Sequence, residues 1–143
     1  MMRHWLFVDT WGGMKVLSPR ESRHAEVTQY FRSFLDRGGE VLTTDYVLDE
    51  TLTLLFKRLS FERASEQYER IEAAEEEDFL RVEWVGRDRF DEALQLRRRY
   101  SDKPEISFTD LTSMVVMQKL DLRDVLTGDA HFEHVGMEFR LQP

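Results

Sequence analysis

Four carboxylates stand where a chain of this pattern could gather them: Asp9, Glu50, Asp110 and Asp129. Asp9 closes the apolar run Trp5-Leu6-Phe7-Val8, and Asp129 follows Val125-Leu126-Thr127 and Gly128. Short apolar runs of this kind are expected as strands buried on both faces, and open parallel sheets bind ligands outside the carboxyl ends of their strands. Asp110 falls in the first turn of an expected helix and Glu50 one to two turns into another, where both could lean over the same edge. Carboxylates converging on one edge repel each other unless a cation lies between them, and hard divalent ions with oxygen ligands serve best. A site of this kind can support two-metal hydrolysis, in which the ions activate water and stabilise the leaving oxygen of a phosphodiester.

Each residue also has a purely structural reading. Asp9 fits an Asx turn at a strand end. Ser107-Phe108-Thr109-Asp110 fits the capping box S-x-x-D, so capping explains Asp110 equally well when it is viewed alone. Asp129, in Gly-Asp, is an ordinary turn residue. Glu50 resists such treatment, because it lies beside an apolar helix face where a carboxylate is costly unless paired or metal-bound. Its neighbour Asp49 is expected to face solvent. His131 and His134 could ligate a metal, but Mg²⁺ prefers oxygen and His131 precedes Phe132 in an expected loop, so surface or packing roles are the expectation. Arg97, Arg98, Arg99 and Lys103, with Lys15, Arg20 and Arg23 near another acidic turn, are candidates for phosphate contacts, a solvated helix face being the alternative. The Glu75 to Asp78 run reads as a solvated helix end.

The elements that must position these groups follow from periodicity. Trp5 to Val8 reads as a strand, ended by a turn at Gly12-Gly13. From Arg20 onward, His24, Val27, Phe31, Phe34 and Leu35 recur at helical spacing up to Gly38-Gly39. Val41 to Thr44 is a second strand, and Thr44 or Asp45 can cap a helix whose Val47, Leu48, Thr51, Leu52, Leu55 and Leu59 form a broad apolar face. A charged helix over Phe61 to Asp78, a strand over Leu80 to Val85 and a helix from Phe90 to Tyr100 come next. Lys103-Pro104 supplies a loop, and Ser107 to Leu120 another helix. Val125 to Thr127 is a fourth strand, and Met137 to Leu141 a fifth. Strands alternating with helices predict an α/β chain with a mostly parallel sheet. No internal repeat or linker divides residues 1–143, so one domain is expected.

Composition bounds the rest. A chain of 143 residues with 41% hydrophobic and 12% aromatic content can build a core of ordinary size. The absence of cysteine excludes disulfides, thiolate zinc sites and thiol nucleophiles, so any metal must be held by oxygen or imidazole. The N-terminal apolar run meets Asp9 too early for a signal segment, and no stretch approaches a membrane span, which leads to a cytoplasmic expectation. A net charge of -8 argues against a protein that coats a nucleic-acid backbone, unless divalent ions offset clustered acids and basic residues lie locally around them.

VDT at Val8 to Thr10, DETLTLL from Asp49 to Leu55, SFTD at Ser107 to Asp110 and TGDAHF at Thr127 to Phe132 resemble, in this order, the acidic motifs of PIN-domain nucleases. The last two are the most specific, and Gly136-Met137-Glu138-Phe139 resembles the family's short final strand. That resemblance implies a PIN-like three-layer α/β/α sandwich with a mostly parallel central sheet of about five strands. It implies that Asp9, Glu50, Asp110 and Asp129 bind one or two Mg²⁺ or Mn²⁺ ions, with Thr10, Ser107 or Thr127 as nearby hydroxyls. Small members of the family are commonly VapC-type toxins, which cleave RNA and are silenced by a VapB-like antitoxin. The chain departs from the pattern at Trp11-Gly12-Gly13-Met14, where such proteins often carry a small polar residue and then an aliphatic helical turn.

Other function classes fit less well. A haloacid-dehalogenase-type phosphatase would place a second aspartate where Trp11 stands. A nucleotide triphosphatase would carry a glycine-rich loop ending in Lys-Ser or Lys-Thr, and a receiver domain an acidic pair near the first strand end. A housekeeping RNA-processing nuclease of the same fold, or a PIN-fold binding module with weak catalysis, remains compatible with the motifs. The helix from Arg20 to Arg37, with Tyr30 and Phe34 expected at its surface, and the helix from Asp45 to Leu59 suggest a homodimer or an antitoxin complex.

Overall fold

The computed structural model describes residues 4–143. At its centre is a parallel sheet of β1 (Trp5–Val8), β2 (Glu40–Thr44), β3 (Leu80–Glu83), β4 (Asp124–Leu126) and β5 (Arg140–Gln142), in the order β3-β2-β1-β4-β5. Met1 to Arg3, part of the N-terminal run read above for a leader, lie outside the described residues. The helices are α1 (Thr10–Leu17), α2 (His24–Asp36), α3 (Asp45–Arg58), α4 (Phe61–Glu76), α5 (Gly86–Arg99), α6 (Phe108–Lys119) and α7 (His131–His134). No helix among the described residues is long and apolar enough to cross a membrane.

Strand side chains alternate between two cores, as the period of a β-strand requires. Phe7, Leu42 and Val125 join the larger core with Ala93 and Leu96 of α5, the buried run Leu111 to Met117 of α6, and Phe132 of α7. Leu6, Val8, Val41 and Leu126 point the other way, onto Val27 and Phe34 of α2 and Trp11 and Val16 of α1. The result is an α/β/α sandwich. A third cluster, Met14, Leu55 and Ala64, ties α1, α3 and α4 together. Helix α6 is buried all round because it lies in the middle of its layer, so its apolar residues carry little face preference.

Several elements differ from the sequence reading. The expected turn at Gly12-Gly13 is the first turn of α1, since Asp9 caps the helix by accepting from the Gly12 N–H at 2.8 Å. The second helix begins at His24 rather than Arg20, after Arg23 takes a left-handed φ of 62°. Helix α5 starts at Gly86, four residues before the apolar spacing becomes visible. The fifth strand begins at Arg140, because positive φ at Gly136 and Glu138 interrupts the extended run expected from Met137. Phe34, expected at the surface, is only 7% exposed and packs in the second core, with Tyr30 stacked on it at 6.4 Å. Among the described residues, the large exposed apolar side chains are instead Phe56, Phe61, Tyr68, Phe79, Trp84 and Leu94.

Candidate metal centre

The strand order reverses at β1, whose neighbours are β2 on one side and β4 on the other. The crevice beyond the carboxyl ends of two such strands is where open α/β sheets take ligands. Asp9 and Thr127 immediately follow β1 and β4 there, and their side chains meet: the Thr127 hydroxyl donates to Asp9 Oδ2 at 2.5 Å. The same Oγ1 accepts from the Asp129 N–H at 3.0 Å. Thr127 thereby fixes one carboxylate through its hydroxyl proton and the backbone of the next through its lone pair.

Asp9 is 4% exposed. Burial pushes its carboxyl up to about 7, against the hydrogen bonds from Thr127 and Gly12, and the charges of Asp110 and Asp129 push the same way. Asp110 is raised as well, first by burial, then by Asp129 and Glu50, with the His131 contact opposing. Asp129 acts on both of these carboxyls, so Asp9, Asp110 and Asp129 lie within electrostatic reach of one another. Glu50, half-buried on α3, joins them by its action on Asp110.

Asp110 illustrates how the two readings of a residue divide. The cap of α6 is Ser107, whose Oγ accepts from the Asp110 N–H at 3.0 Å. The Asp110 carboxylate faces His131 instead, with Oδ2 at 3.3 Å from Nδ1. Ser107 therefore acts on the site through the placement of Asp110. Thr10 is the first residue of α1.

His131, read from the sequence as a surface or packing residue, stands beside two of the site carboxylates. Its Nδ1 lies 3.1 Å from Asp129 Oδ1 and 3.3 Å from Asp110 Oδ2, and its own N–H donates to Asp129 Oδ1 at 2.9 Å. The sequence signal was the two-residue step from Asp129 to His131, which an aspartate closes by bonding the backbone two residues on. This bond starts α7, and with Phe132 fully buried the preceding imidazole is left at the site. His134, on the same short helix, is exposed.

Trp11 and the two glycines beside it are accommodated by close packing. A Cβ on Gly12 would stand 2.2 Å from the Leu126 carbonyl oxygen, so only glycine lets α1 lie against the end of β4. A Cβ on Gly128 would meet the Trp11 ring at 2.5 Å. Trp11 thus covers the residue before Asp129, with Lys15 Nζ and the Arg23 guanidinium 5.3 and 5.4 Å from its ring centre. These are cation–π contacts.

The basic residues otherwise scatter. Arg97 is not a free phosphate contact: its guanidinium donates to the carbonyls of Ile106, Tyr100 and Lys103 at 2.6 to 2.7 Å and clamps the loop between α5 and α6. Arg98 and Arg99 are exposed, Arg99 lying over the Tyr100 ring, and Arg20 is exposed between α1 and α2. Lys103 lies 3.6 Å from Asp102.

The donor set fits a divalent ion. Asp110, Asp129 and His131 place one potential ligand atom each within 4.8 Å of one another, and Asp9 lies close enough for the Asp110 and Asp129 charges to act on its carboxyl.

The model of the PIN domain matches residues 15–137, which include Glu50, Asp110 and Asp129 and begin after Asp9. Among solved structures, the chain is similar to the Mycobacterium tuberculosis toxin VapC20, which cleaves the sarcin-ricin loop, at 30% identity and a TM-score of 0.78. That match covers 94% of this chain and 98% of the other. It is similar in fold to VapBC2 from Rickettsia felis bound to a fragment of promoter DNA (12% identity, TM-score 0.70, 96% and 97% covered). FitAcB from Neisseria gonorrhoeae also shares the fold (14% identity, TM-score 0.65, 96% of each chain covered). No curated protein matches by sequence. With the family's model matched over most of its length and its acidic residues gathered beyond β1 and β4, the chain belongs to the PIN-domain family.

Proposed function

We propose that this chain is a metal-dependent endoribonuclease and the toxin of a toxin–antitoxin pair. The observation that carries this reading is the convergence of Asp9, Asp110 and Asp129 at the strand-order reversal, with Asp9 and Asp110 raised by burial and by neighbouring charge. Asp9, Glu50, Asp110 and Asp129 are the proposed holders of one or two Mg²⁺ or Mn²⁺ ions. When bound, these ions supply a nucleophile at neutral pH and charge stabilisation for a phosphodiester. The residues of the chain supply placement. Thr127 locks Asp9 and Asp129 in fixed relation, and Ser107 sets the start of α6 and with it Asp110. The buried position of Asp9 excludes water from one side of the site.

Lys15, Arg20 and Arg23 are the proposed phosphate contacts: Lys15 and Arg23 lie over the Trp11 ring, which packs on Gly128, with Lys15 donating to Ser22 and Arg23 paired with Glu26. The similarity to VapC20 supports RNA as the substrate. A VapB-like antitoxin is the proposed partner. A cavity of about 230 Å³, lined among others by Val16, Phe31, Leu35, Leu48, Ile71 and Phe79, offers an apolar seat that reaches Asp9. Cytoplasmic action follows from that substrate and partner, and a homodimer is retained as a proposal without its expected Phe34 anchor.

Purified protein incubated with total RNA and Mg²⁺ or Mn²⁺ is expected to produce discrete fragments, and co-purified product of an adjacent gene to suppress them. Intact RNA with both ions would overturn the reading.

A further inference from the structure

The carboxylates account for an oxygen site, and His131 is the group they leave unassigned. Thr127 Oγ1 holds the Asp129 N–H, and Asp129 Oδ1 in turn holds the His131 N–H, so Asp129 and His131 form one rigid unit built on the exit of β4. The imidazole Nδ1 then lies 3.1 Å from Asp129 Oδ1 and 3.3 Å from Asp110 Oδ2. Adjacent corners of an octahedron with bonds of about 2.1 Å are about 3.0 Å apart, so Nδ1 stands from each carboxylate oxygen at about the separation of neighbouring ligands of one small divalent ion, with one ligand atom from each of the three residues within 4.8 Å of the others. The ring is 24% exposed and the Asp110 side chain 16%, so the set is sheltered yet open to an entering ion.

We propose that His131 is a nitrogen ligand of the ion held by Asp110 and Asp129, and that it biases the site toward Mn²⁺ and away from Mg²⁺. This rests on the metal-dependent reading above and deepens it. Mg²⁺ takes oxygen ligands and keeps its waters, whereas transition ions accept imidazole and gain affinity from it. On binding, the Nδ1 lone pair goes to the ion and Nε2 carries the ring proton; any proton on Nδ1 in the metal-free protein leaves to water.

The test uses the full chain stripped of metal. Pulsed electron paramagnetic resonance of the Mn²⁺ complex is expected to show ¹⁴N coupling at the ion, retained in His134→Ala and lost in His131→Ala. By calorimetry, His131→Ala should weaken Mn²⁺ by about tenfold or more, the least that losing even an outer-shell partner costs many metal sites, and Mg²⁺ by less. Mn²⁺ bound without nitrogen coupling in the parent would overturn this inference alone, with no variant needed. Equal loss for both ions would also overturn it, because that is what a residue serving only to space the two carboxylates would give. A parent protein that binds neither ion would overturn this inference and the proposed function together.

Discussion

Asp9 concentrates the energetic conflict of the site in one residue. Its carboxyl caps α1 and accepts from Thr127, yet burial raises it to about 7. Between the ordinary carboxyl value near 4 and about 7, the folded chain holds a proton that the unfolded chain has released. The stabilisation from that proton is complete below the lower value and disappears as pH rises through the upper one. Metal-free protein should therefore lose stability from pH 5 to pH 8. Asp9→Asn keeps an oxygen for Gly12 and removes the charge. In EDTA at pH 8 the variant is expected to melt higher than the parent by roughly 3 °C or more, the shift given by about 1 kcal/mol in a chain of this size. At pH 5 the gap should narrow markedly, and it should close below pH 4. A variant less stable than the parent at pH 8 would contradict this assignment. Asp110→Asn is expected to abolish cleavage and metal-induced stabilisation while melting in EDTA at or above the parent's temperature. The helix cap it leaves in place is the Ser107 hydroxyl. Retained activity with a lower melting temperature would instead mark Asp110 as structural.

The elements explain why some residues were legible in the sequence and others were not. Val8-Asp9 and Thr127-Gly128-Asp129 could be placed at strand exits because apolar runs ending in an acid or a turn are local signals. The parallel sheet followed from strands alternating with helices. Gly12-Gly13 misled, since local propensity favours a turn and the reason for a helix is tertiary: α1 must approach the Leu126 carbonyl. Gly12→Ala should push α1 off β4 and separate Asp9 from Thr127. The expected cost is about 2 kcal/mol or more, typical of overpacking against a neighbour that cannot yield. Mn²⁺ binding, read by calorimetry, should weaken in the same variant. Unchanged stability and binding would show that this contact does not set the site. Arg97 was misread for a related reason. Its place in a basic run suggested phosphate, whereas the carbonyls it satisfies belong to a loop whose path the sequence does not reveal.

Across the whole molecule, the negative net charge and an RNA substrate are compatible because the acids are distributed by role. Asp9, Glu50, Asp110 and Asp129 are the proposed cation holders, while Glu62, Glu66, Glu69, Glu72 and Glu75 to Glu77 lie largely on the exposed surface of α4 and its end. Lys15 on α1 and Arg20 in the loop before α2 supply positive charge nearby, and Arg23 in that loop is paired with Glu26. The sequence named His131 as a possible ligand but favoured surface or packing roles, because its nearness to Asp110 becomes visible only when α6 and the exit of β4 are brought together. The central claim is that these carboxylates serve RNA hydrolysis only through a bound divalent ion. Its most direct test is cleavage of one defined RNA by protein freed of metal, with Mg²⁺ or Mn²⁺ then restored stepwise, beside Asp9→Asn and Asp110→Asn. The expected result is an uncut RNA in EDTA, cleavage that rises and saturates with added ion, and no recovery in either variant. Undiminished cleavage in excess EDTA, or full cleavage by both variants, would contradict the claim.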